Sequence, residues 1–281
     1  MRKLKTWLPV LVILAFSCMK AMEPGLQEVP EELPPFLELP EQTSDLRCYS
    51  HSFTLGGATY RNYTFGWDSS RRLSRWVAYP LCGFYTKAGV KRTEAWGYDP
   101  DVPSDEQPEL FFSYRGSYDR GHQLPSADRL VCREANAQTF YFTNITPQRD
   151  VLNQGLWNDI ETRVRSWAAS SDTLYVVSGC VGEMASVKDA AGNSCPVPEA
   201  YYKAILRYSK TSGFNGLGIY VGHAGTFPEA LTGSMVMSLS ELEGKLGYGL
   251  YVNLGEAVGE DEVRRIKSEN PLSIRFWGIE K

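Results

Sequence analysis

"SYDRGHQLPSADR", residues 117–129, places an aspartate, an arginine and a glycine directly before a histidine. The chain has only 3 histidines in 281 residues, so the position of His122 carries information. A histidine with an unperturbed pKa of about 6.5 is mostly neutral at pH 7 and can accept a proton. Arg120 brings a permanent charge and a fork of donors that suits phosphate oxygens. Gly121 allows close approach of the backbone. Base, cation and glycine together suit phosphoryl chemistry, although a histidine beside an arginine is more often structural.

The segment downstream adds a second signal. "NQGLWNDIETRVRSWAA", residues 153–169, predicts a helix, because Leu156, Trp157, Ile160, Val164, Trp167 and Ala168 recur at helical spacing and fill one stripe. Asn153 projects onto the middle of that stripe, where an amide needs a partner unless it is the N-cap. Glu161 lies at the edge of the stripe two turns on, and Trp157 and Trp167 read as helix core. β-Branched and aromatic runs predict strands over 74–81, 110–114, 139–145, 173–181, 201–208, 217–222 and 273–279. Two further helices are predicted, at 238–247, where Ser238 and Glu241 make a capping box, and at 260–270. Strands dominate with helices between them, so the class is α+β.

Three segments, "DRGH" (119–122), "NITPQ" (144–148) and "LNQG" with Trp157 and Glu161 behind it, occur in order. In these the chain resembles the DNA/RNA non-specific endonucleases, of the ββα-metal or His-Me finger class. The likeness is dense from Asp119 to Glu161 and weaker over about residues 48–279. It implies a central antiparallel sheet flanked by helices, and endonuclease activity on DNA and RNA that leaves 5′-phosphate and 3′-hydroxyl ends. It further implies a residue-by-residue assignment. His122 is the general base, Arg120 contacts the phosphate, and Asn153 is the one direct protein ligand of Mg²⁺ or another divalent cation such as Mn²⁺. Glu161 acts on the ion through its waters, and Asn144 and Gln148 are supporting polar residues on the substrate side. Where members of the family often carry another phosphate-binding arginine, before the stretch that here reads "AWGYDP", the register places Glu94, with Arg92 two residues earlier as its substitute. Eight helical residues rise about 12 Å, which keeps Asn153 and Glu161 from binding one ion directly. A catalytically inactive surface module on the same fold is the alternative reading.

Composition is that of an ordinary globular protein, 43% hydrophobic and 22% charged, and the net charge of −4 excludes a globally basic nucleic-acid binder. Much of that charge sits before residue 46, which leaves the remainder near neutrality. Within the remainder, Arg71, Arg72, Arg75, Lys87, Lys91 and Arg92 face only Asp68 between residues 66 and 92, and read as a local binding patch or, equally, as a solvated basic face. Residues 1–18 read as a signal peptide, basic and then apolar, ending in a lipobox-like "AFSC". A lipidated Cys18 would tether the chain to a membrane; plain secretion is the other outcome. Residues 19–45, rich in proline and acid, read as a solvated tether, and 46–281 as the nuclease domain. The expected address is therefore an outer-membrane or periplasmic lipoprotein, or the exterior. His51 and His223 lack any matching context and read as packed or surface residues. Cys180 and Cys195 are the expected disulfide pair, a closure that would contribute roughly 3 kcal/mol.

Overall fold

The computed structural model describes residues 33–114, 116 and 118–280. Residues 1–18, with Cys18, lie outside them, as does the first part of the 19–45 stretch. Eleven strands and six α-helices follow in chain order: β1 (Arg47–Leu55), β2 (Ala58–Asp68), β3 (Leu73–Leu81), α1 (Gly83–Thr86), β4 (Tyr118–His122), α2 (Arg133–Gln138), β5 (Ile145–Arg149), α3 (Asn158–Ala169), β6 (Thr173–Val181), β7 (Ala185–Lys188), β8 (Ser194–Val197), β9 (Ala200–Ser209), β10 (Gly213–Gly222), β11 (Val236–Met237), α4 (Leu239–Leu246), α5 (Leu254–Val258) and α6 (Glu260–Ser268).

Seven strands form one antiparallel sheet in the order β1-β2-β3-β6-β9-β10-β11. Its central strands are buried at nearly every position because both faces are covered. Along β3, β6 and β9, alternate residues point to opposite sides: Val77, Tyr79, Val176 and Ile205 join one core cluster with α3, while Trp76, Ala78, Val177 and Ala204 join another with Leu239, Leu254 and Ile266 of α4 to α6. The architecture is thus helix on sheet on helix, and the α+β class holds.

Beside this sheet, β4 pairs antiparallel with β5, setting Arg120 opposite Pro147 and His122 opposite Ile145. Side chains hook the pair onto the large sheet. The Tyr201 hydroxyl donates to Thr146 Oγ1 (3.1 Å) and the Pro147 carbonyl (2.9 Å), and Gln123 Nε2 donates to the Ser74 carbonyl (2.6 Å). The rest of the opening stretch braces the same corner. Arg129 is fully buried, stacked on Tyr85 and bonded to Asn62 and Pro80, and Asp128 accepts from Arg165 of α3 at 3.1 Å. The chain after β5 makes a wide turn, Leu152–Trp157, and enters α3.

Several expected elements differ. The helix expected from 153 starts as α-helix only at Asn158, because Gly155 leaves helical geometry (φ −100°, ψ −110°). Residues 110–114 are a loop, 139–145 contains a short helical turn, Phe142–Asn144, and 273–279 contains another, Arg275–Trp277, just after the turn Pro271–Ser273. In all three, aromatic content reflects packing of a loop on the core rather than a strand. The Cys180–Cys195 bridge is not formed. Cys180 lies on β6 in the main core, and Cys195 lies on the β7–β8 hairpin in a separate small cluster with Leu110 and Phe142. Part of the proline-rich stretch is docked rather than solvated. Leu37 and Glu38 are buried, and Glu38 takes a two-toothed ion pair from Arg61 (2.7 and 3.0 Å). Among the described residues no helix is long and apolar enough to cross a membrane.

Candidate active site

The strand β4, the turn after β5 and α3 wall a cleft of about 420 Å³ lined by Arg92, Arg120, His122, Asn153, Asn158, Glu161 and Arg165, with Pro125, Ser126, Ala127 and Gln154. Five of the seven residues singled out in the sequence therefore meet in one place. The other two stand behind its wall. Asn144 is buried and clamps backbone, accepting from Leu124 N and donating to the carbonyls of Leu124 and Thr139. Gln148 is buried against Gly121.

His122 ends β4 with its ring between Trp96 and Phe140, at centroid distances of 5.4 and 5.1 Å. Its Nε2 is buried with no hydrogen-bond partner. Burial, and then the nearby Arg92 charge, lower the His122 pKa to about 3, so the ring is neutral in the free protein. An anionic group entering the cleft would raise it towards the working range of a base.

Arg120 lies flat over Trp96 at 3.7 Å, and its Nη1 donates to the carbonyls of Leu110 and Phe111. Arg92 pairs with Glu94, donates to Ser126 Oγ at 2.7 Å and rests over Phe140. Glu94 also accepts from Trp96 Nε1 at 3.0 Å. The acidic residue at the family's arginine position thus orients both Arg92 and the tryptophan under Arg120.

Asn153 Nδ2 donates to Asp119 Oδ2 at 2.9 Å, and Gln154 Nε2 reaches the same oxygen at 2.8 Å. A carboxylate only accepts, so the amide NH₂ must face Asp119 and Oδ1 is left to the cleft. A free amide oxygen held in this way suits a hard divalent cation that keeps most of its waters. Glu161 faces the same cleft. Burial raises its pKa, against the lowering pull of Lys203, Arg165 and Arg92. Lys203 is fully buried on β9, donates to Ser178 Oγ at 3.0 Å and lies near the Trp157 ring. The break at Gly155 removes the basis for a continuous helical rise between Asn153 and Glu161.

Sequence reasoning missed Asp119, Trp96, Lys203 and Arg165. Asp119 stood in plain view, three residues before His122. The others come from distant segments, and only the fold brings them together. The basic run separates. Arg92 lines this cleft, whereas Arg71 and Arg75 line a different cavity with Lys245 and Tyr248 and pair with Asp68. His51 and His223 are packed, as expected. His223 accepts from Arg149 N at 2.8 Å, and His51 bonds Asp99 at 2.8 Å. His51, Asp99 and Asp101 offer ligand atoms within 4.8 Å of one another, a group able to hold a cation. Asp99 already accepts from Thr143 and the Asp101 amide, so the group also braces the segment that carries Trp96.

Comparison with known proteins places the chain in a family. The chain is 30% identical over 212 residues to the mitochondrial nuclease EXOG of Xenopus laevis, covering 70% of this chain and 57% of that protein. It is 31% identical over 157 residues to a nuclease of Nostoc sp., covering 55% and 56%. It is 30% identical over 151 residues to the nuclease of Serratia marcescens, covering 51% and 56%. The chain thus spans little more than half the length of these relatives. Among solved structures, a chain of the EndoG/EndoGI complex superposes with a TM-score of 0.60 at 19% identity, over 73% of this chain and 87% of that one, which shows the ββα-metal fold. The family profile of the DNA/RNA non-specific endonucleases matches residues 45–248, and the chain belongs to that family.

Proposed function

We propose that this protein is a divalent-metal-dependent endonuclease that hydrolyses phosphodiester bonds of DNA and RNA without sequence preference, leaving 5′-phosphate and 3′-hydroxyl ends. The observation that carries the reading is that His122 lines one cleft with three arginines, Asn153 and Glu161. A neutral imidazole beside fixed positive charge is what in-line attack of water on an anionic phosphate requires. Arg120 and Arg92 bind the phosphate oxygens, Arg120 held flat by Trp96 so that little ordering is lost on binding. His122 takes the proton of the attacking water. Asn153 Oδ1 would hold the cation directly, and Glu161 would hold its waters. When bound, the cation offsets the phosphate charge and stabilises the departing 3′ oxygen. Mg²⁺ is the ion we assign, with Mn²⁺ as its substitute, on the oxygen-only donor set.

Supercoiled plasmid and a folded RNA, each incubated with the protein in Mg²⁺ and in EDTA, test the reading. Nicking and degradation in Mg²⁺ alone, giving ends that ligase rejoins without prior phosphorylation, support it. Equal cleavage in EDTA, or none in any divalent ion, overturns it. Export is proposed on residues 1–18. Cys18→Ser moves the protein from the membrane fraction to the soluble one if Cys18 is lipidated; unchanged partitioning means plain secretion.

A further inference from the structure

A loop bonded to Arg120 of the cleft carries a feature that bond cleavage does not need. Residues 110–114, Leu-Phe-Phe-Ser-Tyr, form a loop pinned at both ends. Leu110 is buried and Tyr114 nearly so, both in the small core with Phe142 and Ile145. Between them Phe111 is 49% exposed and Phe112 76%. The Phe111 ring is held edge-on by Phe142 at 5.0 Å and Tyr98 at 5.6 Å. Ser113 Oγ donates to the Tyr118 carbonyl, which closes the loop back onto β4. Arg120 grips the carbonyl of Phe111, the residue just before Phe112. A single exposed phenylalanine is ordinary. This one is presented by an anchored loop and tied, one peptide away, to the arginine assigned to the phosphate.

We infer that Phe112 is a stacking platform for an unpaired nucleobase next to the phosphate held at Arg120. The inference rests on the nuclease reading and adds a preference for single-stranded substrate to it. A nucleotide presents an anion and a flat apolar face, and here an exposed ring follows directly on the residue whose carbonyl the Arg120 cation holds. Every base has such a face, so the contact is sequence-tolerant. In a duplex both faces are occupied by neighbouring pairs, and the ring would have to wedge between base steps at a cost.

The test uses the full chain carrying His122→Asn, which keeps binding apart from cleavage. The probes are fluorescein-labelled oligothymidylate, an abasic strand of the same length and a duplex, each with Mg²⁺. Phe112→Ala should weaken oligothymidylate binding by roughly 5- to 140-fold, the usual value of one stacked base. Binding of the abasic strand and the duplex should change little, and Phe112→Trp should restore oligothymidylate affinity and show tryptophan quenching on binding. In the active protein, Phe112→Ala should raise KM for single strands at unchanged kcat. Unchanged oligothymidylate affinity, or an equal loss on the abasic strand, overturns the inference while leaving the nuclease reading intact. If the His122→Asn parent binds none of the probes, both fall together.

Discussion

Gly121→Ala is the smallest change that reports on how β4 and β5 position His122. A Cβ at 121 would lie 2.6 Å from Gln148 Cβ, 2.8 Å from Gln148 Oε1 and 3.1 Å from the Thr146 carbonyl. Carbon atoms in contact sit at about 3.5–4.0 Å, so the added methyl lacks about 1 Å of room. Gln148 is 1% exposed, and its Cβ moves only with the backbone of β5. The two strands must therefore part, and His122, the next residue along, moves with β4. Overpacking of this kind costs about 1–3 kcal/mol, which for a domain of this size lowers Tm by roughly 2–12 °C. A misplacement of about 1 Å costs on the order of 10²-fold in rate. Thermal unfolding and plasmid nicking at saturating Mg²⁺ read both effects. The double variant Gly121→Ala/Gln148→Gly removes the clashing Cβ and should recover most of the rate and of the Tm. Wild-type rate and Tm in Gly121→Ala alone would refute the packing argument.

Asp119→Ala frees the Asn153 amide to turn, and should raise the Mg²⁺ concentration for half-maximal rate by roughly 10–100-fold with the plateau rate kept; Asn153→Ala should raise it further. An unchanged Mg²⁺ curve in both would remove Asn153 from the metal site. His122 also makes stability fall in acid. Its folded pKa of about 3 lies below the unfolded value of about 6.5, so its contribution is complete above 6.5 and drains as pH falls through the window down to 3. By pH 5 that loss is about 2 kcal/mol, and urea unfolding at pH 7 and pH 5 should show His122→Asn losing less than wild type by that amount. Equal losses would mean the folded ring is not depressed. Arg92→Ala should flatten the salt dependence of duplex binding by about 0.9 in slope, whereas Arg71→Ala/Arg72→Ala/Arg75→Ala should leave the slope alone. A flatter slope in the triple variant would place those arginines against the substrate.

The parts of the site legible in the sequence are those whose signal is local. His122 was marked by its three predecessors, and Asn153 by a polar amide on an apolar stripe. The capping box at Ser238 and the strands β3, β6, β9 and β10 follow from short-range pattern, and all form. The break at Gly155 was not legible, because glycine is tolerated inside helices and only packing decides where one bends. Residues 110–114 read as a strand because aromatic runs favour strands, but an aromatic loop anchored at two points gives the same pattern. The β1–β2 hairpin went unread although Gly56-Gly57, both at positive φ, is a strong two-residue turn signal. Lys203, Arg165 and Trp96 reach the site through strand order and helix docking, which no local window contains.

The central claim is that His122 is the base of a metal-dependent phosphodiesterase. The most direct measurement is the single-turnover cleavage rate of an end-labelled oligonucleotide by wild type and by His122→Asn, with Mg²⁺ in excess and both folds checked by circular dichroism. The account predicts a loss of about 10²–10⁴-fold with the native spectrum and substrate affinity retained. A His122→Asn rate within a few fold of wild type would contradict it.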